Sequence, residues 1–256
     1  DSNYPLPLLE PVHFHFSATC TLYRGGKALE ALPSELAQSG YKRPLLLSDP
    51  GVAGAGLTEK LRLMLGDDLD LEIRTDVPPD SDTALVDTLA AACRESGRDC
   101  LLALGGGSVL DTAKGVAMVL SGKSEVLTAL EGSGELTPLS FPWYAIPTTT
   151  GTGSECTKAA VISDTEQGRK LLFISPFLQA RSAYLDAGLT SSLPGHILAQ
   201  TGMDAMCHAV EAFTCLGKNP LSDLFAWKAI ELLSVHLKQA ILHPDEPVHR
   251  EATALA

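Results

Sequence analysis

Two side chains of metal-binding type stand four residues apart in a helix-favouring stretch of the chain. Asp204 and His208 lie within the segment 201–212, and their spacing directs both side chains along one face of a helix. A carboxylate oxygen and an imidazole nitrogen from one rigid turn form half of a site for a borderline divalent metal such as Fe²⁺ or Zn²⁺. Surface hydrogen bonds and helix pairs use the same spacing, so the pair alone leaves both alternatives open.

Three consecutive glycines follow a short apolar run at residues 100–104. Gly105, Gly106 and Gly107 precede Ser108, a plausible N-cap for the next predicted helix. The free amides and the positive end of such a helix suit a pyrophosphate, and glycines let the backbone approach a ligand closely. A tight turn between a strand and a helix, without any ligand, is the alternative.

A cluster of threonines follows another short apolar run, at residues 143–146. Thr148, Thr149 and Thr152 come directly after Pro147, which places their hydroxyl groups at a strand end, where α/β sheets bind ligands. A threonine-rich turn that satisfies its own backbone would have the same composition.

A carboxylate closes the strand predicted at residues 43–49. Asp49 at this position can accept hydrogen bonds from both hydroxyls of an adenosine ribose, and its charge would repel a 2′-phosphate. The sequence Asp-Pro-Gly at 49–51 is also common in turns. The cofactor role would predict NAD over NADP, and both interpretations are open at this point.

Three segments, in this order, resemble the signatures of the iron-containing (group III) alcohol dehydrogenase family. They are GGGSVLDTAK at 105–114, PTTTGTGSE at 147–155 and the stretch from LTSSLP at 189–194 to the Asp204 and His208 helix. The resemblance implies a dehydroquinate-synthase-like fold. It also implies that Asp204 and His208 are two of four protein ligands to a catalytic metal.

The resemblance further assigns cofactor contacts to residues of the first two segments. Asp111 belongs to the motif that the family uses for the phosphates of the dinucleotide, and the threonines would contact the nicotinamide half and the phosphates. Lys170 would reach a ribose, and Asp49 stands where the family has its NAD/NADP discriminator. For Lys114, ligand contact and a solvated position on the helix are equally acceptable interpretations.

The function implied is that of a metal-dependent, NAD-linked alcohol dehydrogenase or aldehyde reductase acting on a small-molecule alcohol or aldehyde, with Fe²⁺ or Zn²⁺ as the metal. By analogy with the family, we expect a homodimer or a larger homo-oligomer. The alternatives are a relative of glycerol dehydrogenase or maleylacetate reductase, and a catalytically inactive nucleotide-binding fragment.

Apolar runs alternate with amphipathic helices through the first two thirds of the chain, which predicts an α/β domain with a mostly parallel sheet at residues 1–194. An all-α, metal-binding domain is expected to begin at 195 and to continue to 256. The predicted strands are 43–49, 100–104, 143–146, 159–163 and 170–174, and the predicted helices are 82–96, 108–120, 196–215, 221–239 and 249–256.

Composition narrows the classes of function. The chain has 256 residues, 45% of them hydrophobic, and a net charge of −12, which argues against nucleic acid or an anionic membrane surface as a partner. The sequence shows neither a signal peptide nor a long apolar span, so we expect a cytoplasmic location. The six cysteines are expected to be reduced and mostly buried, with Cys207 in the core.

Chains of the resembled family run substantially further than residue 256. The two remaining ligand histidines and the candidate acid/base histidine lie on those later helices, and no residue here is assigned to their roles. We therefore expect an incomplete helical domain in which apolar faces around Leu232, Leu233 and Leu237 are left open.

Overall fold

The computed structural model describes residues 13–122, 124, 126–131, 138–191 and 193–256. Within these residues the strands are β1 Thr21–Arg24, β2 Pro44–Leu47, β3 Glu72–Arg74, β4 Cys100–Gly105, β5 Trp143–Pro147, β6 Ala159–Asp164, β7 Arg169–Ile174 and β8 Ser182–Leu185. The α-helices are α1 Leu32–Ser39, α2 Pro50–Gly54, α3 Leu57–Leu65, α4 Thr83–Ser96, α5 Gly107–Ser121, α6 Gly195–Thr214, α7 Pro220–Leu242 and α8 Pro247–Leu255.

Six strands form one sheet in the order β1-β8-β5-β4-β2-β3, and every neighbouring pair in it is parallel. Strands β2, β4 and β5 are buried along their whole length, because helices cover both faces of a parallel sheet. The predicted α/β part with a mostly parallel sheet is confirmed.

The strands predicted at 159–163 and 170–174 are present, but they do not join the parallel sheet. β6 and β7 pair with each other in antiparallel orientation as a separate two-stranded hairpin. Their buried side chains, which include Ile162, Leu171 and Phe173, belong to the same hydrophobic cluster as residues of α4 and α5. The hairpin therefore packs on the helical layer at one side of the sheet.

The two sides of the sheet carry separate cores. Leu45 and Leu47 of β2 face the cluster formed with α4, α5 and the hairpin, whereas Leu46 between them faces the cluster formed with α1 and α3. This alternation follows from the two-residue period of a strand. Both faces of the sheet are therefore closed by apolar packing, and polar groups that serve a ligand must lie at the strand ends.

The strand order reverses direction between β2 and β4. From β2 the chain passes to the edge strand β3, and then returns to β4 on the other side of β2 before continuing to β5 and β8. In open α/β sheets, ligands bind in the crevice beyond the carboxyl ends of the strands at such a reversal. Asp49 lies just after β2, and the glycine turn lies at the end of β4.

The region after residue 194 is helical in all its described elements, as predicted. Leu198 of α6 packs against Leu233 and Leu237 of α7, and a Cβ atom on Gly202 would lie 2.3 Å from Leu237 Cδ1. The expectation that the faces around Leu232, Leu233 and Leu237 are open is wrong, since Leu233 and Leu237 are buried against α6 and Leu232 is half-buried. No helix among the described residues is both long enough and apolar enough to cross a membrane.

Candidate active site

Two clefts meet at the carboxyl end of the parallel sheet. The first has a volume of about 710 Å³ and the second about 750 Å³. Both are lined by Thr149 and Thr152, which follow β5. The second cleft also contains the residues after β2 and β4, whereas the first contains residues of the helices α6, α7 and α8. The segment 148–157, here called the threonine loop, therefore separates the two clefts.

The glycine turn presents free backbone amides to the second cleft. Gly106 is the N-cap of α5 and supplies no side-chain hydrogen bond, while Gly106, Gly107 and Ser108 all line the cleft. The prediction that Ser108 is the N-cap is wrong: α5 begins one residue earlier, and Ser108 Oγ accepts a hydrogen bond from the backbone N–H of Asp80 at 3.1 Å. An uncapped helix N-terminus facing a cleft suits an anionic group such as a pyrophosphate.

The glycines are required by the threonine loop as well as by any ligand. A Cβ atom on Gly106 would lie 3.1 Å from Thr149 Cγ2, and one on Gly107 would lie 3.0 Å from Thr152 Cγ2. On Gly105 it would lie 2.5 Å from a methyl group of Val109. The sequence suggested close approach to a ligand, and the structure adds a close approach of the threonine loop to the same turn.

The threonine loop also contacts the helical part of the protein. Gly151 has a φ of 143°, and a Cβ atom there would lie 1.8 Å from the carbonyl oxygen of Thr201 in α6. Only glycine fits this position. The hydroxyls of Thr149 and Thr150 are buried without a hydrogen-bond partner. Because such orphaned groups cost free energy, their presence beside the clefts fits a loop that donates hydrogen bonds to a bound molecule.

Asp49 lies at the end of β2 and lines the second cleft. Its Oδ1 accepts a hydrogen bond from the backbone N–H of Val52 at 2.9 Å, which caps α2. Asp49 therefore has a local structural role, as the cap of a short helix rather than as a turn residue, together with a position on the cleft wall. A carboxylate that caps a helix through one oxygen still has accepting capacity for a ligand hydroxyl.

Asp111 and Lys114 are engaged inside the protein rather than in a cleft. Asp111 accepts hydrogen bonds from Ser154 Oγ at 2.5 Å and from the backbone N–H of Val161 at 2.9 Å. Lys114 is fully buried, and its amino group donates to Ser154 Oγ at 2.8 Å and to the carbonyl oxygen of Ala159 at 2.6 Å. The solvated interpretation of Lys114 is wrong, and burial lowers the pKa of its amino group.

Lys170 lies on the exposed hairpin, and the structure does not bring it into either cleft. Its Nζ lies 3.0 Å from Asp80 Oδ1 in an ion pair whose side chains are 61% and 76% exposed. Because the N–H of Asp80 also donates to Ser108, this ion pair is at the rim of the second cleft.

Asp204 and His208 lie on one face of α6, as their spacing predicts. His208 Nε2 is 3.8 Å from Asp204 Oδ1, and the two side chains are 56% and 51% exposed. His208 lines the first cleft opposite the threonine loop. Among the described residues, no group of three or more His, Cys, Asp or Glu side chains converges as a metal site. The donor set present, one carboxylate and one imidazole, fits half of a tetrahedral divalent-metal site.

Two further residues of the first cleft had no role in the sequence interpretation. Glu155 lines the cleft, and burial raises the pKa of its carboxyl group. Cys156 lines the same cleft and is exposed, as are Cys207 and Cys215, while Cys93 and Cys100 are buried. The prediction of mostly buried cysteines, and of a core position for Cys207, is wrong. A buried charge and a thiol on a loop leave no periodic signal in a sequence.

The protein thus combines a parallel α/β sheet, an uncapped glycine turn at the reversal point of that sheet, and a neighbouring helix that carries Asp204 and His208. The family model "Iron-containing alcohol dehydrogenase" matches residues 20–187, and the model of the C-terminal part of the Fe-containing alcohol dehydrogenase family matches 198–256. The chain belongs to the iron-containing alcohol dehydrogenase family.

Individual relatives agree with this placement. A 4-hydroxybutyrate dehydrogenase of Cupriavidus necator is 39% identical over 217 residues, which are 83% of this chain and 56% of the relative. A crystal structure of a 1,3-propanediol oxidoreductase matches with a TM-score of 0.90 at 29% identity, over 95% of this chain and 64% of that one. The sulfoacetaldehyde reductase of Bifidobacterium kashiwanohense, in complex with NAD⁺, matches with a TM-score of 0.88 at 27% identity, over 95% and 66%. The chain therefore spans between half and two thirds of the length of these proteins.

Proposed function

We infer that the protein is an NAD-linked alcohol dehydrogenase or aldehyde reductase whose reaction takes place where the two clefts meet. The observation that carries this proposal is the position of the threonine loop, with the free amides of α5 on one side and His208 on the other. Relatives named as dehydrogenases and reductases of alcohols and aldehydes, one of them in complex with NAD⁺, support the same assignment.

The second cleft would hold the dinucleotide. The amides of Gly107 and Ser108 would bind the pyrophosphate at the N-terminus of α5, and Asp49 would accept hydrogen bonds from the adenosine ribose. Lys170, at the rim beside Asp80, would contact a ribose. The free hydroxyl of Thr149 would donate to the nicotinamide half, which then extends past the threonine loop towards the first cleft.

The first cleft would hold the alcohol or aldehyde near α6. Asp204 and His208 would supply two of the ligands for a divalent cation, Fe²⁺ or Zn²⁺. When bound, the cation supplies a Lewis acid that lowers the pKa of the alcohol, and NAD supplies the hydride acceptor. Ala205, Ala209 and Ala212 would form an apolar wall beside the substrate.

The proposal also includes the two domains predicted from the sequence. Residues 1–194 would form the dinucleotide-binding domain, and 195–256 would begin the metal-binding domain. A cytoplasmic location and a homodimer or larger homo-oligomer stay predictions.

Removal of one orphaned hydroxyl tests the proposal. Thr149→Val keeps the shape of the side chain, and it deletes a buried hydroxyl that has no partner in the protein, so thermal stability should stay unchanged or rise. If this hydroxyl donates to the cofactor, NADH affinity should fall by about tenfold, corresponding to about 1.4 kcal/mol. Affinity is measured by titration of NADH fluorescence.

Thr150→Val is the matched control, because its hydroxyl is equally buried and without a partner, but Thr150 does not line the second cleft. This variant should bind NADH as the wild type does. Equal NADH affinity in all three proteins would remove Thr149 from the cofactor site. A wild type without saturable NADH binding would overturn the proposed activity.

A further inference from the structure

Two cysteines from distant parts of the chain meet at the wall of the first cleft. Cys20 directly precedes β1, and Cys156 lies in the threonine loop. Cys20 Sγ is 3.8 Å from the carbonyl oxygen of Glu155, the residue bonded to Cys156, and each of the two thiols shifts the pKa of the other. Both cysteines are present as free thiols.

A third residue holds the two segments together. Thr19 Oγ1 donates to Gln179 Oε1 at 2.6 Å, and Gln179 Nε2 donates to the carbonyl oxygen of Cys156 at 3.0 Å. The amide of Gln179 therefore bridges the residue before Cys20 to Cys156 itself. This arrangement holds the backbone of Cys156 next to the segment that carries Cys20.

The environments of the two sulfur atoms differ. The neighbouring Cys156 thiol lowers the pKa of Cys20, whereas the Cys20 thiol raises the pKa of Cys156. The thiolate is the reactive form of cysteine, so Cys20 is the nucleophile of the pair. Cys156 is exposed to the first cleft, which gives a small oxidant a route to the pair.

We propose that Cys20 and Cys156 are a redox modification site, which a peroxide oxidises reversibly to a disulfide that links β1 to the threonine loop. The Cys20 thiolate attacks one oxygen of hydrogen peroxide, so that an S–O bond forms, the O–O bond breaks and hydroxide leaves to take up a proton as water. The Cys156 thiol then attacks the sulfur of the Cys20 sulfenic acid. The S–S bond forms, the S–O bond breaks, and a second water leaves.

The disulfide would alter the cofactor cleft. Its two sulfur atoms must come to about 2.05 Å, which ties Cys156 of the threonine loop covalently to the residue before β1. Thr152 of this loop packs closely on Gly107 in the glycine turn, since a Cβ atom on Gly107 would lie 3.0 Å from Thr152 Cγ2. We therefore expect the oxidised protein to bind NADH at least about threefold more weakly. This consequence rests on the proposed function, whereas formation of the disulfide does not.

Peptide mapping tests the disulfide. Purified protein is treated with hydrogen peroxide, alkylated and digested with trypsin, which cuts after Arg24 and Lys158. A linked pair of peptides containing Cys20 and Cys156 is expected, and dithiothreitol should separate them. Cys20→Ser and Cys156→Ser should abolish the link, while Cys215→Ser, a matched change at another exposed cysteine, should keep it. In Cys156→Ser, dimedone should trap Cys20 as the sulfenic acid.

NADH titration of the oxidised wild type, before and after dithiothreitol, tests the consequence. Weaker binding that the reductant restores, with no response in Cys20→Ser, is the expected result. Peroxide treatment that leaves both cysteines as thiols, or joins either one to a different cysteine, overturns the proposed site. If the linked peptide forms but NADH affinity is unchanged, the disulfide does not affect the cofactor cleft. Failure of the reduced protein to bind NADH at all would contradict the proposed function instead, because the linked peptide would still form.

Discussion

The amino group of Lys114 lies 2.8 Å from the hydroxyl of Ser154, in the interior between α5 and the threonine loop. The same amino group is 3.4 Å from Asp111 Oδ1, and that carboxylate oxygen accepts a hydrogen bond from the hydroxyl of Ser154 at 2.5 Å. The three side chains therefore fasten the loop that separates the clefts to the helix that begins at the glycine turn.

We expect Lys114→Met to destabilise the protein by about 3 kcal/mol, because it leaves the negative charge of Asp111 without its cationic partner in the interior. Urea unfolding monitored by circular dichroism measures the change. Lys158→Met removes an exposed lysine next to the same loop and should stay within about 0.5 kcal/mol of the wild type. If Lys114→Met lowers the free energy of unfolding by less than about 1 kcal/mol, the ammonium contributes little to holding the threonine loop on α5.

Glu155 predicts a dependence of stability on pH. Burial raises the pKa of its carboxyl group, so the folded state holds this proton more tightly than the unfolded state does. Stability from this group is then greatest below the unfolded pKa of about 4.3 and falls as pH rises through the raised folded pKa. Glu155→Gln should therefore be more stable than the wild type near about pH 8, and the difference should shrink towards about pH 4.

Chemical denaturation at a series of pH values measures this difference. Glu166→Gln, which changes an exposed carboxylate on the neighbouring hairpin, corrects for the general effect of removing a charge. A difference between Glu155→Gln and the wild type that stays constant over the whole pH range would contradict the raised pKa.

Asp49 offers a test of cofactor choice that does not disturb the helix it caps. In Asp49→Asn the side-chain oxygen can still accept from the N–H of Val52, but the charge that would oppose a 2′-phosphate is gone. We expect the ratio of kcat/KM for NADP to that for NAD to rise by about tenfold, or about 1.4 kcal/mol. Asp67→Asn, at a side chain that is 99% exposed, should leave the ratio as it is. The same ratio in Asp49→Asn and the wild type would exclude Asp49 from the ribose site.

Local patterns predicted the elements that carry the site, while contacts between distant residues decided which side chains face it. The buried strands β2 and β4 were predictable because a strand covered on both faces is a continuous apolar run. The common face of Asp204 and His208 follows from helix periodicity alone. By contrast, the burial of Lys114 depends on Ser154 and Ala159, which are 40 and 45 residues away along the chain, and no spacing in the sequence indicates that contact.

The start of α5 shows the same limit at a single residue. Serine is a favoured N-cap, and on that ground Ser108 was predicted for this position. Its hydroxyl instead accepts a hydrogen bond from the backbone N–H of Asp80, 28 residues earlier in the chain, and Gly106 takes the cap position. The amides at the start of α5 are open because no side chain caps them. The general preference of serine for cap positions cannot predict this.

The metal assignment of Asp204 and His208 is tested by changes to each of them. Two protein ligands are half of what a stable tetrahedral site needs, so residues 1–256 alone should bind Zn²⁺ weakly and show little dehydrogenase activity. A form of the protein that carries two further histidine ligands should hold one ion tightly. In that form, His208→Ala and Asp204→Ala should each lower metal affinity by at least about tenfold, as measured by elemental analysis after dialysis against a graded chelator.

His243→Ala is the matched control, because His243 is exposed at the end of α7 and lies outside the first cleft. It should retain the metal and the activity of the unchanged protein. NADH binding should survive in all three variants, because the second cleft contains none of these residues. If metal-free protein reduces aldehydes with NADH equally well after both Asp204→Ala and His208→Ala, these residues hold no catalytic metal, and the polarisation of the substrate must come from other groups in the first cleft.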